Sequence, residues 1–409
     1  MFLYLKKPFP YIWKNKKMKF FNEMGLKSRN IYLIYASMIA GGLLFFLPIL
    51  ALYFEETLFT ATNVALIFSI EAIAMVLFEV PTGAIADLFG RKKTLVLANF
   101  VVLIAVSFLY IGGSMLMFIL FAIFNSFARA LSSGTYNAFI YDSLKEENKE
   151  KYYKKVIGTF HALWPLGASI GSIIGGYLAK VSLSFPIGLS LIPLFVAFIL
   201  TLKLKEPDYE KEEHRNILKH MFESSKLILK NKQLILLVIG GFLLLAFGET
   251  VHLLSPLFFK FKEIPIMFFG WIMAFVFGLS SLGYYLSHTV SEKIGNKTTL
   301  IASVIIAPIL LIIATLTTKF TSILFFIIPS FFFGLRNPVR SHLLNVEVPS
   351  SKRATIISIS NFLGQLGVAI FAPFIGYFAE LYTINTAFMI SAIFMFSATI
   401  LFFFVKNRE

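Results

Sequence analysis

Cysteine is absent and charge is scarce. Without a thiol among its 409 residues the chain can hold neither a disulfide nor a thiolate metal site. Only 14% of the residues are Asp, Glu, Lys or Arg, against 57% hydrophobic ones, where a soluble globule carries about 25% charged residues. Too few polar side chains remain to cover a water-facing surface, and the mean hydropathy of +0.79 agrees. The solvent this composition suits is lipid. A nucleotide-binding loop of the form GxxxxGK[ST] is also missing, so ATP is not expected to drive the protein. No loop gathers a nucleophile, a His and an acid, or a set of metal ligands, which argues against an enzyme or a membrane scaffold built around chemistry. His161, His252, His288 and His342 are scattered without metal-ligand spacing, and no cofactor is expected. The opening Met1–Leu5 run is too short for a signal-peptide core and precedes the basic residues, so no cleavable signal is expected there.

Phenylalanine (48 residues) and long apolar runs are abundant. A helix needs about 20 mainly apolar residues to cross a bilayer. Twelve segments qualify, near 30–53, 61–86, 95–111, 115–140, 156–179, 183–202, 234–258, 266–290, 299–317, 322–344, 354–380 and 385–405. The expected fold is therefore an all-α membrane protein. Alternate loops on the N-terminal side hold thirty Lys and Arg and the opposite loops four, Lys180, Lys260, Lys262 and Lys319. That bias puts both termini in the cytoplasm, and the plasma membrane is the expected location. It also accounts for the net charge of +15 without a nucleic-acid partner, because the cations are spread over loops and not gathered on one face.

The organisation reads as a basic N-terminal tail (1–29), a first bundle of six helices (30–202), a polar cytoplasmic linker (203–233), a second bundle (234–405) and a short tail (406–409). The end of the linker has helical apolar spacing and is expected along the membrane surface. The halves are related. Between 157–179 and the positions two hundred residues later, eight pairs are identical, among them Gly167/Gly367, Gly176/Gly376 and Tyr177/Tyr377. About 2–3 matches would arise by chance. Two parallel six-helix repeats about an axis normal to the membrane are the expected architecture, with the chain working as a monomer.

At the turn between the second and third spans stands GAIADLFGRK, with Gly83, Asp87, Gly90, Arg91 and Lys92 spaced GxxxDxxGRK. A glycine at 83 admits a close neighbour, Gly90 permits a sharp reversal, Asp87 can receive the cations or a helix N-terminus, and the cations hold the turn inside. This stretch resembles the loop signature of the major facilitator superfamily, and the six-plus-six layout resembles that family throughout. The resemblance implies that the cluster latches the halves together on the cytoplasmic side when the cavity opens outward. The matching turn of the second half keeps a weaker echo: Glu292, Gly295 and Lys297, with His288 and Asn296 in place of Gly83 and Arg91.

Ionisable groups at membrane depth are costly and tend to face a cavity or a partner. The candidates for proton coupling and the central cavity are Glu71, Arg129, Glu249 and Glu79. Glu71 precedes Asp87 by sixteen residues, about 24 Å along a helix, and Glu79 lies eight residues beyond it on the same expected face. Arg129 can pair with either. Its surroundings resemble the family's fourth-span motif, although Gly134 falls five residues later where the family has four. Glu249 and His252 share a face of the seventh span. Arg336 and Arg340 lie one turn apart on the tenth, and Arg340 is expected to snorkel toward the interface.

The fifth span carries Gly158, Gly167, Gly171, Gly175 and Gly176. Their spacing resembles the family's antiporter motif, with Ser172 in the place of its proline. Such glycines are expected to seat the fifth span against its counterpart in the other half. The resemblance implies export of a small lipophilic compound in exchange for protons. Uptake or facilitated diffusion on the same scaffold is the alternative.

Overall fold

The computed structural model describes residues 28–208, 225–349 and 352–406, with backbone alone at 80–81, 83–88 and 354. The N-terminal tail through residue 27 and most of the linker therefore lie outside the described residues. Within these every regular element is helical, and twelve spans are long and apolar enough to cross a membrane.

In chain order the first span is broken: Arg29–Gly42, a tight turn at Leu47–Ile49, then Leu50–Leu58. The second is Ala61–Phe89 and the third Arg91–Ile111. The fourth divides into Met115–Ser132 and Thr135–Glu146; the fifth is Tyr153–Leu178 and the sixth Ser184–Leu202. The second half follows with Lys232–Phe261, Met267–Ile294 and Asn296–Leu316, a divided tenth span (Lys319–Ile327 and Pro329–Val346), then Arg353–Leu381 and Ile384–Phe403. These twelve match the apolar segments of the sequence. They run a few residues further at charged ends, because Lys and Arg belong in terminal helical turns while hydropathy discounts them.

Local chemistry sets the ends. Thr60 caps the second span by accepting a hydrogen bond from the Asn63 amide (3.2 Å), and Asn231 caps the seventh through the Gln233 amide (2.9 Å). Gly90 and Gly295 turn the chain at equivalent places with nearly equal geometry, φ 98° and 86°, a left-handed region that costs glycine little. The echo in the second half therefore reproduces the turn itself.

The break in the first span is built against the fifth. Gly42 lies where a Cβ would meet the Trp164 carbonyl at 2.7 Å, and Gly167, Gly171 and Gly175 leave room for the backbone of residues 39–45. An interrupted helix frees backbone amides, which lipid cannot satisfy; Ser190 of the sixth span accepts from the Phe45 amide at 2.9 Å. The antiporter-like glycines thus seat the fifth span on the first span of its own half, not on the eleventh as expected. Gly167 fits the helical end of the first span at Ile39 and Gly42, and Gly171 and Gly175 fit its unwound stretch at Leu43–Phe45. Gly176 alone faces across, to Met267 and Gly270 of the eighth span, and Gly158 meets nothing within 4 Å. The fifth span continues through Ser172 without a break.

The halves close on each other at the end away from the chain termini. There the fifth span crosses the eighth and the eleventh crosses the second: Gly176 faces the Met267 carbonyl, and Gly376 the Ala61 carbonyl. Trp271 donates to Tyr177 (3.2 Å), Thr62 to Glu380 (2.6 Å), Lys260 to Glu55 (2.7 Å), and Ser69 to the Ala369 carbonyl. All cross-half hydrogen bonds among the described residues lie in this portion. Large apolar side chains such as Ile192, Phe195, Phe394 and Ile400 remain exposed on the outer surface, as a lipid-facing wall requires.

Candidate functional site

Between the halves lies a cavity of about 1440 Å³. A shallower depression of about 530 Å³ beside Lys92, Lys93 and Phe198 lies between the third and sixth spans and touches only the first half. The central cavity is lined by both bundles and reaches Leu344 and Ile357 toward the terminal end. Two kinks feed it: Ser133 and Gly134 of the fourth span's break, and Pro329 and Ser330 of the tenth's.

Its charged lining is Glu71, Arg129, Glu249, Arg336 and Arg340, joined by His161 and His252. Glu71 Oε1 accepts from Arg129 Nη1 and Asn125 Nδ2, both at 2.9 Å, and Ser126 Oγ donates to the Glu71 carbonyl at 2.8 Å. Residues 125 and 129 stand one turn apart, so one face of the fourth span delivers both donors. Of the two partners open to Arg129, the structure selects Glu71. The Glu71 side chain is 13% exposed and that of Arg129 is 54% exposed, so the pair is reached from the cavity and its strength is of surface order, about 1 kcal/mol. Glu79 is not part of the lining. Eight residues at 100° each leave it about 80° around the helix from Glu71 and two turns further on. Glu249 lines the cavity, as does His252, whose ring stands edge-on to Phe277 at 6.2 Å.

Arg340 does not snorkel. It turns into the bundle, where Nη1 donates to Ser360 Oγ at 3.1 Å, and it occupies the space that a side chain at Gly241 would need. Arg336, 4% exposed, sets its guanidinium 5.3 Å from the Phe333 ring centre. Both arginines line the central cavity. Asn337 Nδ2 donates to the Tyr284 hydroxyl at 2.9 Å on the same wall.

At the terminal end the Gly90 turn gathers two acids that sequence reasoning missed. Arg91 Nε lies 2.6 Å from Asp142 Oδ2 at the end of the fourth span. The Arg91 and Lys92 amides donate to the Glu206 carboxylate at 2.7 and 3.1 Å, a charged cap on the positive end of the third span. The sequence pattern offers Asp87 for these roles; only the backbone is described at Gly83 and Asp87. The signals for the missed acids were their positions, FIYD at the end of an apolar span and KEP just after one, but nothing local aims them at residue 91.

Twelve spans in two related bundles, with a charged cavity on the axis between them, have counterparts among known proteins. The model of the Major Facilitator Superfamily matches residues 31–335 and 253–409. The chain belongs to that superfamily. Within it, an uncharacterised MFS-type transporter of Bacillus subtilis (strain 168), YxaM, is 24% identical over 382 residues, covering 88% of this chain and 92% of that one. A cis,cis-muconate transport protein of Acinetobacter baylyi is 24% identical over 345 residues, covering 80% and 81%. Among solved structures, the nucleoside transporter NupG superimposes with a TM-score of 0.75 at 16% identity, over 93% of this chain and 100% of that one; the likeness is one of fold. The superfamily's members are transporters, not enzymes, and this facilitator is a multi-pass membrane protein that moves small molecules.

Proposed function

We propose that this facilitator is a proton-coupled secondary transporter of small lipophilic solutes, working by alternating access in the plasma membrane as a monomer with both termini in the cytoplasm. The observation that carries the reading is the Glu71–Arg129 pair, held at a cavity that lies between two bundles sealed at one end. With the terminal end cytoplasmic, as the loop charges favour, the conformation is inward-facing. A proton taken up by Glu71 removes the charge that holds Arg129 and frees a guanidinium toward the solute. Rocking of the bundles would then exchange the seal at the glycine crossings for one at the Gly83–Lys92 turn. One charge moved through 100 mV is worth about 2.3 kcal/mol, roughly a fiftyfold gradient of a neutral solute.

Export in exchange for protons is favoured by the fifth-span glycine spacing. A second reading, proton–solute symport, is favoured by the lining, which carries three arginines against two glutamates. A negatively charged solute there binds more readily once a glutamate is protonated, so proton and solute would travel together. The solutes in the relatives' names, muconate and nucleosides, differ, so family membership leaves the choice to the cavity's own side chains.

The test is purified protein in liposomes with an imposed pH gradient. Solute movement that collapses with the gradient, together with the direction of proton flow recorded by a trapped dye, supports coupling and separates exchange from symport. Solute movement indifferent to the gradient and to Glu71→Gln refutes it.

A further inference from the structure

We infer that the solute carries a carboxylate, which docks on Arg336 and Arg340 along the inner face of the tenth span. The inference rests on the cavity being the solute's path and adds what chemistry it selects.

Each guanidinium offers five N–H donors in a rigid fork. Among the described residues Arg340 makes one hydrogen bond, to Ser360 Oγ, and Arg336 rests on the Phe333 ring. Neither forms an ion pair with any described carboxylate. The two sit four residues apart, about 6 Å along the helix, and Arg336 is 4% exposed. Two like charges so close, one of them buried, are costly without an anion.

The cavity's own acids do not supply one. Glu71 is engaged by Arg129 and Asn125. Glu249 stands eight residues beyond Gly241, the residue against which Arg340 packs, and so about 12 Å further along the seventh span. A solute carboxylate complements the two cations, because paired guanidinium forks match two oxygens in a plane. Tyr284 adds to the match: its hydroxyl already accepts from Asn337, which leaves its proton to donate. Trp164 and Phe277, rings 6.1 Å apart edge to face in the same cavity lining, suit an unsaturated or aromatic body. The solute is thus lipophilic at one end and anionic at the other.

The experiment is calorimetric binding to the purified full-length protein at fixed chloride, with acid and amide pairs of one shape: benzoate and benzamide, 2,4-hexadienoate and its amide, and phenyl phosphate as a separate oxyanion. At least one carboxylate should bind tenfold or more tightly than its amide. That preference should vanish in Arg340→Gln and Arg336→Gln and weaken in Arg340→Lys, which keeps the charge and loses the fork. Should a glutamine variant not fold, Gly241→Ala, which displaces the Arg340 guanidinium, must also reduce the preference. Equal binding of acids and amides, a preference that survives these substitutions, or tighter binding of phenyl phosphate overturns the inference. Movement of neutral solutes in the gradient assay without carboxylate binding would overturn this inference and leave the transport reading standing; carboxylate binding without any gradient-driven movement would do the reverse.

Discussion

Gly176 and Gly376, two hundred residues apart, make the same crossing in opposite halves. A Cβ on Gly176 would stand 2.8 Å from the Met267 carbonyl oxygen, and one on Gly376 would stand 2.6 Å from that of Ala61. Both obstacles are main-chain atoms that cannot rotate aside. The internal repeat is therefore a working symmetry: each half contributes one glycine to the same seal.

Valine at either position should weaken that seal. Overpacking costs about 1–3 kcal/mol, and about 1.4 kcal/mol is a tenfold change in population. Spin labels at Val181 and Tyr382 should report longer separations in Gly176→Val and Gly376→Val, with the double variant shifted furthest. Unchanged distance distributions would show that the crossings tolerate bulk and do not control closure.

Glu71→Gln should uncouple more than it destabilises. The pair with Arg129 is open to the cavity, so the loss in stability should be about 1 kcal/mol or less, while solute-driven proton movement falls tenfold or more. Adding Arg129→Gln should restore part of the lost stability, because it removes the charge left alone. Normal proton movement in Glu71→Gln would move the coupling site elsewhere, with Glu249 next in line.

The two equivalent turns should differ in their tolerance of alanine. At Gly295 the φ of 86° is the main cost, since the nearest atom to a new Cβ is Thr298 Oγ1 at 3.9 Å. At Gly90, with φ 98°, a Cβ would also meet Glu206 Oε2 at 3.0 Å and disturb the cap on the third span. Gly295→Ala should lose about 1–3 kcal/mol, since its ψ of 152° puts it in a region essentially reserved for glycine, and Gly90→Ala about 1 kcal/mol more. Glu206→Gln alone should cost about 1 kcal/mol. Thermal melts rank the three, and an equal loss at both glycines would deny the Glu206 cap its role.

Lys262 predicts an alkaline effect. Its ammonium donates to the Thr315 and Thr317 carbonyls at 2.9 and 2.6 Å, capping the ninth span from a buried position. Burial lowers its pKa below the usual 10.5. The unfolded chain then holds this proton to higher pH than the folded one does. Stability from this site therefore rises as pH climbs from the lowered value toward 10.5. Melting curves across that window should show a smaller upward slope in Lys262→Gln than in the parent, and identical slopes would contradict the assignment.

Much of the fold was legible because its causes are local. Spans follow from apolar length, and the Gly90 turn from a glycine that tolerates positive φ. The candidate site was legible only in part. Glu71, Arg129 and Glu249 stood out as charges at depth, and the cavity gathers all three. Glu79 looked equivalent to Glu71 but is rotated away from the lining, since eight residues are not a whole number of turns. The glycines of the fifth span announced a close neighbour without saying which, because Gly171 and Gly175 fit an unwound stretch of the first span, an irregularity that hydropathy does not register.

By itself, then, the sequence determined that the chain crosses lipid twelve times, that its halves repeat, and which ionisable groups lie too deep to be casual. Hydrophobicity and helical period act over a few turns, so they can be read without knowing the neighbours. Only the tertiary structure decided that Arg129 takes Glu71, that Arg91 takes Asp142, and that Arg340 turns inward beside Arg336. Those choices depend on distances of a few ångströms between helices far apart in the chain, and Coulomb and hydrogen-bond energies change steeply over that range.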